Sequence, residues 1–217
     1  MKRLFQGILL IIVPASFLLS CGGSAPVLEE TDWKLFFRDD GASRYEELGI
    51  FFRYEDLDGE EDVVEAVVSQ EEEDLIWRFD RDLWKRGSDG ERSWWGLPSL
   101  KPLAGERLPE GFYVFSVMDL AGRTESVSFR PNPERASVSD LDWPEVALTD
   151  DGFVLSGPYE TAHVYVRNPE GLALAVIALG NQTPSALPRT GEEASWEAYV
   201  PMGGTGAGFL LGPFPMN

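Results

Sequence analysis

Leu108-Pro109-Glu110-Gly111-Phe112-Tyr113-Val114-Phe115-Ser116-Val117-Met118, continued by Asp119-Leu120-Ala121-Gly122-Arg123, decides how this chain folds. Gly111 to Met118 is aromatic and β-branched, which suits a strand. Asp119 to Gly122 is turn chemistry, and Thr124 to Phe129 reads as the returning strand. Upstream the same signals recur. Leu48-Gly49-Ile50-Phe51-Phe52-Arg53-Tyr54 is strand-like, Asp56-Leu57-Asp58-Gly59 turns, and Val63 to Val68 follows, so the two runs read as a hairpin. Leu75, Trp77 and Phe79 alternate with Ile76 and Arg78, the period of a half-buried strand. Residues 80–110 are irregular and are expected to form a long loop with one or two short strands and a helical turn near Asp82–Arg86.

Downstream, Pro131-Asn132-Pro133-Glu134 breaks the pattern, and residues 132–143 are expected to be a linker. Beyond it Glu145 to Leu148 and Gly152 to Leu155 flank a hairpin turn. In Ala162 to Arg167, Val164 and Val166 point one way and His163, Tyr165 and Arg167 the other. Leu172 to Leu179 is unbroken and apolar, and is expected to be a strand buried on both faces. Trp196 to Val200 and Gly208 to Leu211 read as closing strands. This second part is small enough to pack on the first rather than fold alone.

The opening segment resembles the start of the penultimate strand of immunoglobulin-like and fibronectin type III domains. Those families place Leu, Pro and a small residue ahead of a Tyr, with an apolar residue four later. Asp119-Leu120-Ala121-Gly122-Arg123 resembles the Asp-x-Ala-Gly-Asn turn of bacterial immunoglobulin-like modules, with Arg123 where Asn is usual. The resemblance implies an all-β chain: an immunoglobulin-like β-sandwich over residues 31–131 and a smaller β-rich module over 144–217. It also implies that Tyr113 forms a tyrosine corner, its hydroxyl bonded to nearby backbone. Read from the residues alone, Tyr113 is equally a plain core aromatic.

The N-terminus carries a different message. Lys2 and Arg3 precede the apolar runs Leu4-Phe5, Ile8 to Val13 and Phe17-Leu18-Leu19, with the small Ser20 before Cys21. That order describes an export signal over residues 1–20. Gln6, Gly7 and Pro14 interrupt it, leaving it short of the ~20 apolar residues that span a bilayer. Leu18-Leu19-Ser20-Cys21 resembles the lipobox of bacterial lipoproteins. The resemblance implies cleavage after Ser20, a diacylglyceryl group on the Cys21 thiol, and acyl chains such as palmitate as the membrane anchor. Gly22 stands where Asp marks inner-membrane retention in lipoproteins of double-membrane bacteria, so in such a host the resemblance implies the outer membrane. Residues 21–30 are then expected to be a flexible tether.

Cys21 is the only cysteine, so no intramolecular disulfide can staple the fold. Eighteen basic residues face 37 acidic ones, a net charge of −19, and losing Lys2 and Arg3 with the signal makes it −21. Such a chain is repelled by phosphate backbones and anionic headgroups. Nucleic acid is excluded as a partner, and a basic membrane-binding patch as the means of attachment.

The chemistry-bearing residues are few. His163 is the only histidine, and no nucleophile-elbow motif accompanies it; a hydrolase would have to use it, and the strand alternation puts it outward. One His and a lipidated Cys cannot make a zinc site, and no cofactor is expected. Asp56, Asp58 and Glu60 are the calcium candidates, although the segment lacks the spacing of a calcium loop. Trp77 reads as core, whereas Trp84, Trp94 and Trp95 are candidates for stacking on sugar rings or anchoring a partner protein. The expectation is a non-enzymatic, lipid-anchored cell-envelope protein that displays β-sandwich modules for protein binding or envelope assembly. A carbohydrate-binding module is the alternative and a hydrolase a distant one.

Overall fold

The computed structural model describes residues 23–89, 92–131, 136–186, 191–203 and 206–216. The segment expected to be an export signal, residues 1–20, lies outside the described residues, as do Cys21 and Gly22. The chain is all-β, and no helix among the described residues is long and apolar enough to cross a membrane.

The described residues up to Phe129 form eight strands: β1 Val27–Asp39, β2 Arg44–Glu55, β3 Val63–Gln70, β4 Leu75–Asp80, β5 Lys85–Asp89, β6 Arg92–Gly96, β7 Tyr113–Asp119 and β8 Thr124–Phe129. They pair as β1-β2-β6-β5 in one sheet and β4-β3-β7-β8 in the other. This is the A-B-E-D and C′-C-F-G order of an immunoglobulin-type sandwich. Alternation does the building. On β2, Leu48, Ile50, Phe52 and Tyr54 are buried against Ala66 and Val68 of β3 and Tyr113, Phe115 and Val117 of β7. Phe52 meets Phe115 at 4.9 Å between ring centroids, and Trp33 of β1 stacks on Phe129 of β8 at 4.6 Å. Tyr113 Oη donates to the Pro109 carbonyl at 2.8 Å, tying the start of β7 to the loop before it.

The second part adds β9 Glu145–Thr149, β10 Gly152–Ser156, β11 Thr161–Arg167, β12 Ala173–Gly180, β13 Ser195–Pro201 and β14 Gly208–Pro215. The hairpin of β9 and β10 stands apart, with Phe153 packed edge-on against Trp196 of β13. The other four strands join the first part's sheet, because β14 pairs in parallel with β1 from Phe36↔Gly208 to Asp39↔Leu211. The result is one eight-stranded sheet, β12-β11-β13-β14-β1-β2-β6-β5, over a single continuous core.

Several expectations are corrected. β2 and β3 are not a hairpin: they belong to different sheets, and residues 56–62 cross between the layers. Both strands carry a buried face, and crossing lets those faces meet. The tether is shorter than residues 21–30, since β1 begins at Val27 and Pro26 is buried. The linker is not bare: Val138 is buried, and Trp143 packs on Phe209 at 5.0 Å. Nor is the Leu172 to Leu179 run buried on both faces. β12 is the edge of the long sheet, leaving Leu172, Leu174 and Val176 exposed. Residues 80–110 do hold the expected short strands, β5 and β6, and the helical turn falls at Arg81–Leu83, one residue ahead of its expected start.

Candidate functional site

The long sheet has one face on the core and one facing away from it. Register assigns the side chains of the outer face. Trp94 lies on β6, Phe51 and Arg53 on β2, Lys34, Phe36 and Arg38 on β1. Glu197 and Tyr199 follow on β13, His163, Tyr165 and Arg167 on β11, and Leu174 and Val176 on β12. Glycines shape the middle of this face. A Cβ at Gly49 would sit 2.9 Å from the Phe36 ring and 3.3 Å from the Phe51 ring, and one at Gly96 would sit 3.3 Å from Phe51. Phe51 therefore lies over two glycines, close against the backbone, and is still 36% exposed. Phe36 meets Tyr199 edge-on at 6.0 Å. Glu197 accepts from Arg38 at 2.9 Å and from Arg167 at 3.0 Å, a three-residue ion network between the aromatic rings. Arg53 lies over Trp94 at 5.5 Å and pairs with Glu29 at 2.8 Å. Aromatic rings interleaved with arginines are the composition of protein-recognition surfaces.

The three candidate tryptophans separate. Trp84 is 6% exposed, packs edge-on against Phe52, and donates Nε1–H to the Phe79 carbonyl at 3.1 Å. It is core and offers no ring face to a ligand. Trp95 points the same way, against Trp84 at 5.9 Å, with Arg81 and Arg86 over its ring. Only Trp94 belongs to the outer face. Neighbours on a strand face opposite sides, and here β6 is covered on one side by the sandwich. His163 is exposed on the outer face, with Ala178 and Tyr199 as its cross-strand neighbours.

A second cluster sits at the end of the sandwich where β1 begins. Carboxylate oxygens of Asp56, Asp62 and Asp119 lie within 4.8 Å of one another. Of the calcium candidates, only Asp56 belongs to this group. Glu60 approaches Arg81 instead, at 4.0 Å, and Asp58 pairs with Arg123 at 3.1 Å. Arg123 also bonds Asp119 through Nε at 2.6 Å and approaches Asp62 at 3.9 Å. Its guanidinium is the cation of the cluster, so a divalent ion would have to share the place with it. Asp56 Oδ2 is shut from solvent and accepts no hydrogen bond from the described residues. Burial pushes the Asp119 carboxyl up, but hydrogen bonds from the Arg123 backbone and side chain outweigh it and hold the group below its ordinary value. Asp62 stands above its ordinary value, first through burial and then through the charges of Asp119, Asp56 and Asp58.

The sequence signals missed Phe36, Phe51 and Tyr199 as surface aromatics, because strand aromatics ordinarily read as core. Gly49 and Gly96 were the available signal, since glycine inside a strand marks close approach of another group. Compared with protein-family models and with curated proteins, the chain finds no match.

Proposed function

We propose that this chain is a membrane-anchored cell-envelope lipoprotein, non-enzymatic, that uses the outer face of its long sheet to bind a partner protein of the envelope. Lipid on Cys21 is its attachment, and the outer membrane its place in a host with two membranes. The observation that carries the reading is the outer face itself. Trp94, Phe51, Phe36 and Tyr199 lie across four strands of it, interleaved with Arg53, Arg38 and Arg167. Half-buried aromatic rings and paired arginines give a preorganised surface, and such residues dominate binding energy at protein interfaces.

A photo-crosslinking amino acid placed at Phe51 or Tyr199 tests this in native envelope. Crosslinks to one envelope protein are expected from both positions and not from Ile76, which is exposed on the outer side of the other sheet. Equal crosslinking from all three positions, or a measurable turnover, overturns the reading. The position of Phe51 over Gly49 and Gly96 favours a second reading, in which the exposed ring stacks on a sugar. Glycan-array binding that is lost in Phe51→Ala supports that reading; binding that survives this change dismisses it.

A further inference from the structure

The two loops at the start of β1 are tied together and tied to the N-terminal segment. Leu120 N donates to the Asp62 carbonyl at 2.9 Å, joining the β7–β8 turn to the β2–β3 crossing. Arg123 spans Asp58, Asp62 and Asp119 between the same loops. Ser24 N donates to Asp58 Oδ2 at 3.0 Å. Gly23 is pressed onto this junction: a Cβ there would fall 2.2 Å from Asp58 Oδ2 and 2.4 Å from Arg123 Nη2. Cys21 is two residues before Gly23. Two residues of fully extended chain span at most about 7 Å. A lipid on Cys21, as proposed above, would be attached within that reach of Gly23 and of these loops.

Three apolar side chains project at that end. Leu57 is 89% exposed at the tip of the β2–β3 crossing, Leu120 71% at the tip of the β7–β8 turn, and Val27 57% at the start of β1. Among the described residues, Leu57 is the most exposed of the large hydrophobics. No packing within the described fold explains bare leucines on two loops whose other residues are acidic side chains and glycines, with Ala121 and Arg123.

We propose that Leu57, Leu120 and Val27 enter the interface of the same bilayer leaflet that holds the Cys21 lipid. The inference rests on the anchored-lipoprotein reading and goes beyond it by fixing orientation. The short reach from Cys21 to Gly23 names the occupant. A gap of about 7 Å admits a lipid surface and excludes a protein domain. The sandwich then stands on its β2–β3 and β7–β8 loops. The outer face of the long sheet rises along the membrane normal, open to the side. Loop carboxylates outnumber Arg81 and Arg123, so insertion is deeper in a zwitterionic surface than in an anionic one.

The full chain, expressed with its signal and extracted in detergent, supplies the test. Because Cys21 is the only cysteine, a single introduced thiol is a unique site for a nitroxide. Labels at Leu57→Cys and Leu120→Cys are compared with labels at Leu103→Cys and Leu172→Cys, which replace equally exposed leucines at the opposite end. In phosphatidylcholine vesicles, labels at 57 and 120 are expected to favour oxygen over a water-soluble nickel chelate several-fold more than the other two. Adding phosphatidylglycerol reduces that preference. Intact mass reports the lipid. Lipid present with all four labels equally water-exposed overturns the membrane contact alone. A mass without lipid overturns the anchor, and the contact with it.

Discussion

Arg123 holds three carboxylates from two loops, and the charges it does not fully balance set the local pH response. Asp62 is raised above its unfolded value by burial and by its acidic neighbours, so ionising it costs folding stability. That cost is absent below the unfolded carboxylate range, grows as pH rises through the raised folded value, and is complete at neutral pH. Asp62→Asn is therefore expected to melt higher than the native chain at pH 7. The gap should close as the pH falls below the ordinary range for Asp. Asp119 has the opposite sign: its lowered value means stability present above the unfolded value and lost as pH falls through the folded one. Asp119→Asn should melt lower at pH 7. Melting curves of the two variants at neutral and acid pH check both signs, and shifts in the same direction at pH 7 would refute the assignment. The sequence showed the acid-rich turn at Asp56-Leu57-Asp58-Gly59 and the substituted motif position at Arg123. It could not show that they meet, because Asp119 and Arg123 come from a strand pair in the other sheet.

Within an element, a strand's period was legible and its neighbours were not. β4, β7, β8 and the hairpin of β9 and β10 fall where alternation and turn residues place them. β2 and β12 show the limit of that reading. β2 is aromatic on both faces, and periodicity cannot say that Phe52 faces the sandwich while Phe51 lies over glycines outside it. β12 is apolar throughout and yet stands at an edge, which is decided by pairing order rather than by composition. On β6 the two sides have different consequences. Trp94 shares the outer face, whereas Trp95 packs toward Trp84, which fills the space between Phe52 and Tyr54. Trp84→Ala empties a buried site and is expected to cost about 3–5 kcal/mol of stability. Trp94→Ala should cost well under half of that and act on binding instead. Denaturant titration separates them, and a larger loss for Trp94→Ala would invert the assignment of the two faces.

At the scale of the molecule, the decisive contact joins the beginning of the folded chain to its end. Phe36 to Asp39 of β1 pair with Gly208 to Leu211 of β14, and no local pattern announces a parallel pair between segments so far apart in sequence. Its consequence is shared cooperativity. Phe37 and Phe209 touch across the junction at 5.8 Å, Trp143 covers Phe209, and Arg38 reaches over β14 to Glu197 on β13. Removing the second part would take β14 from Phe36 to Asp39 of β1, which keeps β2 on its other side, leave an unpaired hydrogen-bonding edge there and expose Phe37. Such an edge invites aggregation. With no disulfide to hold either part separately, each depends on the other's burial. Residues 22–217 should therefore unfold in one calorimetric transition, and a 22–131 fragment should melt lower or aggregate. Phe209→Ala should lower the whole transition rather than split off part of it, because the ring it removes packs on Phe37 of the first part and on Trp143 and Tyr159 beyond it, within one continuous core. Two separated transitions in the native chain, one of them matching an intact 22–131 fragment, would show that the parallel junction does not couple the parts. In that case the sheet would be continuous in geometry but divided in energy, and the outer face could not act as one rigid surface.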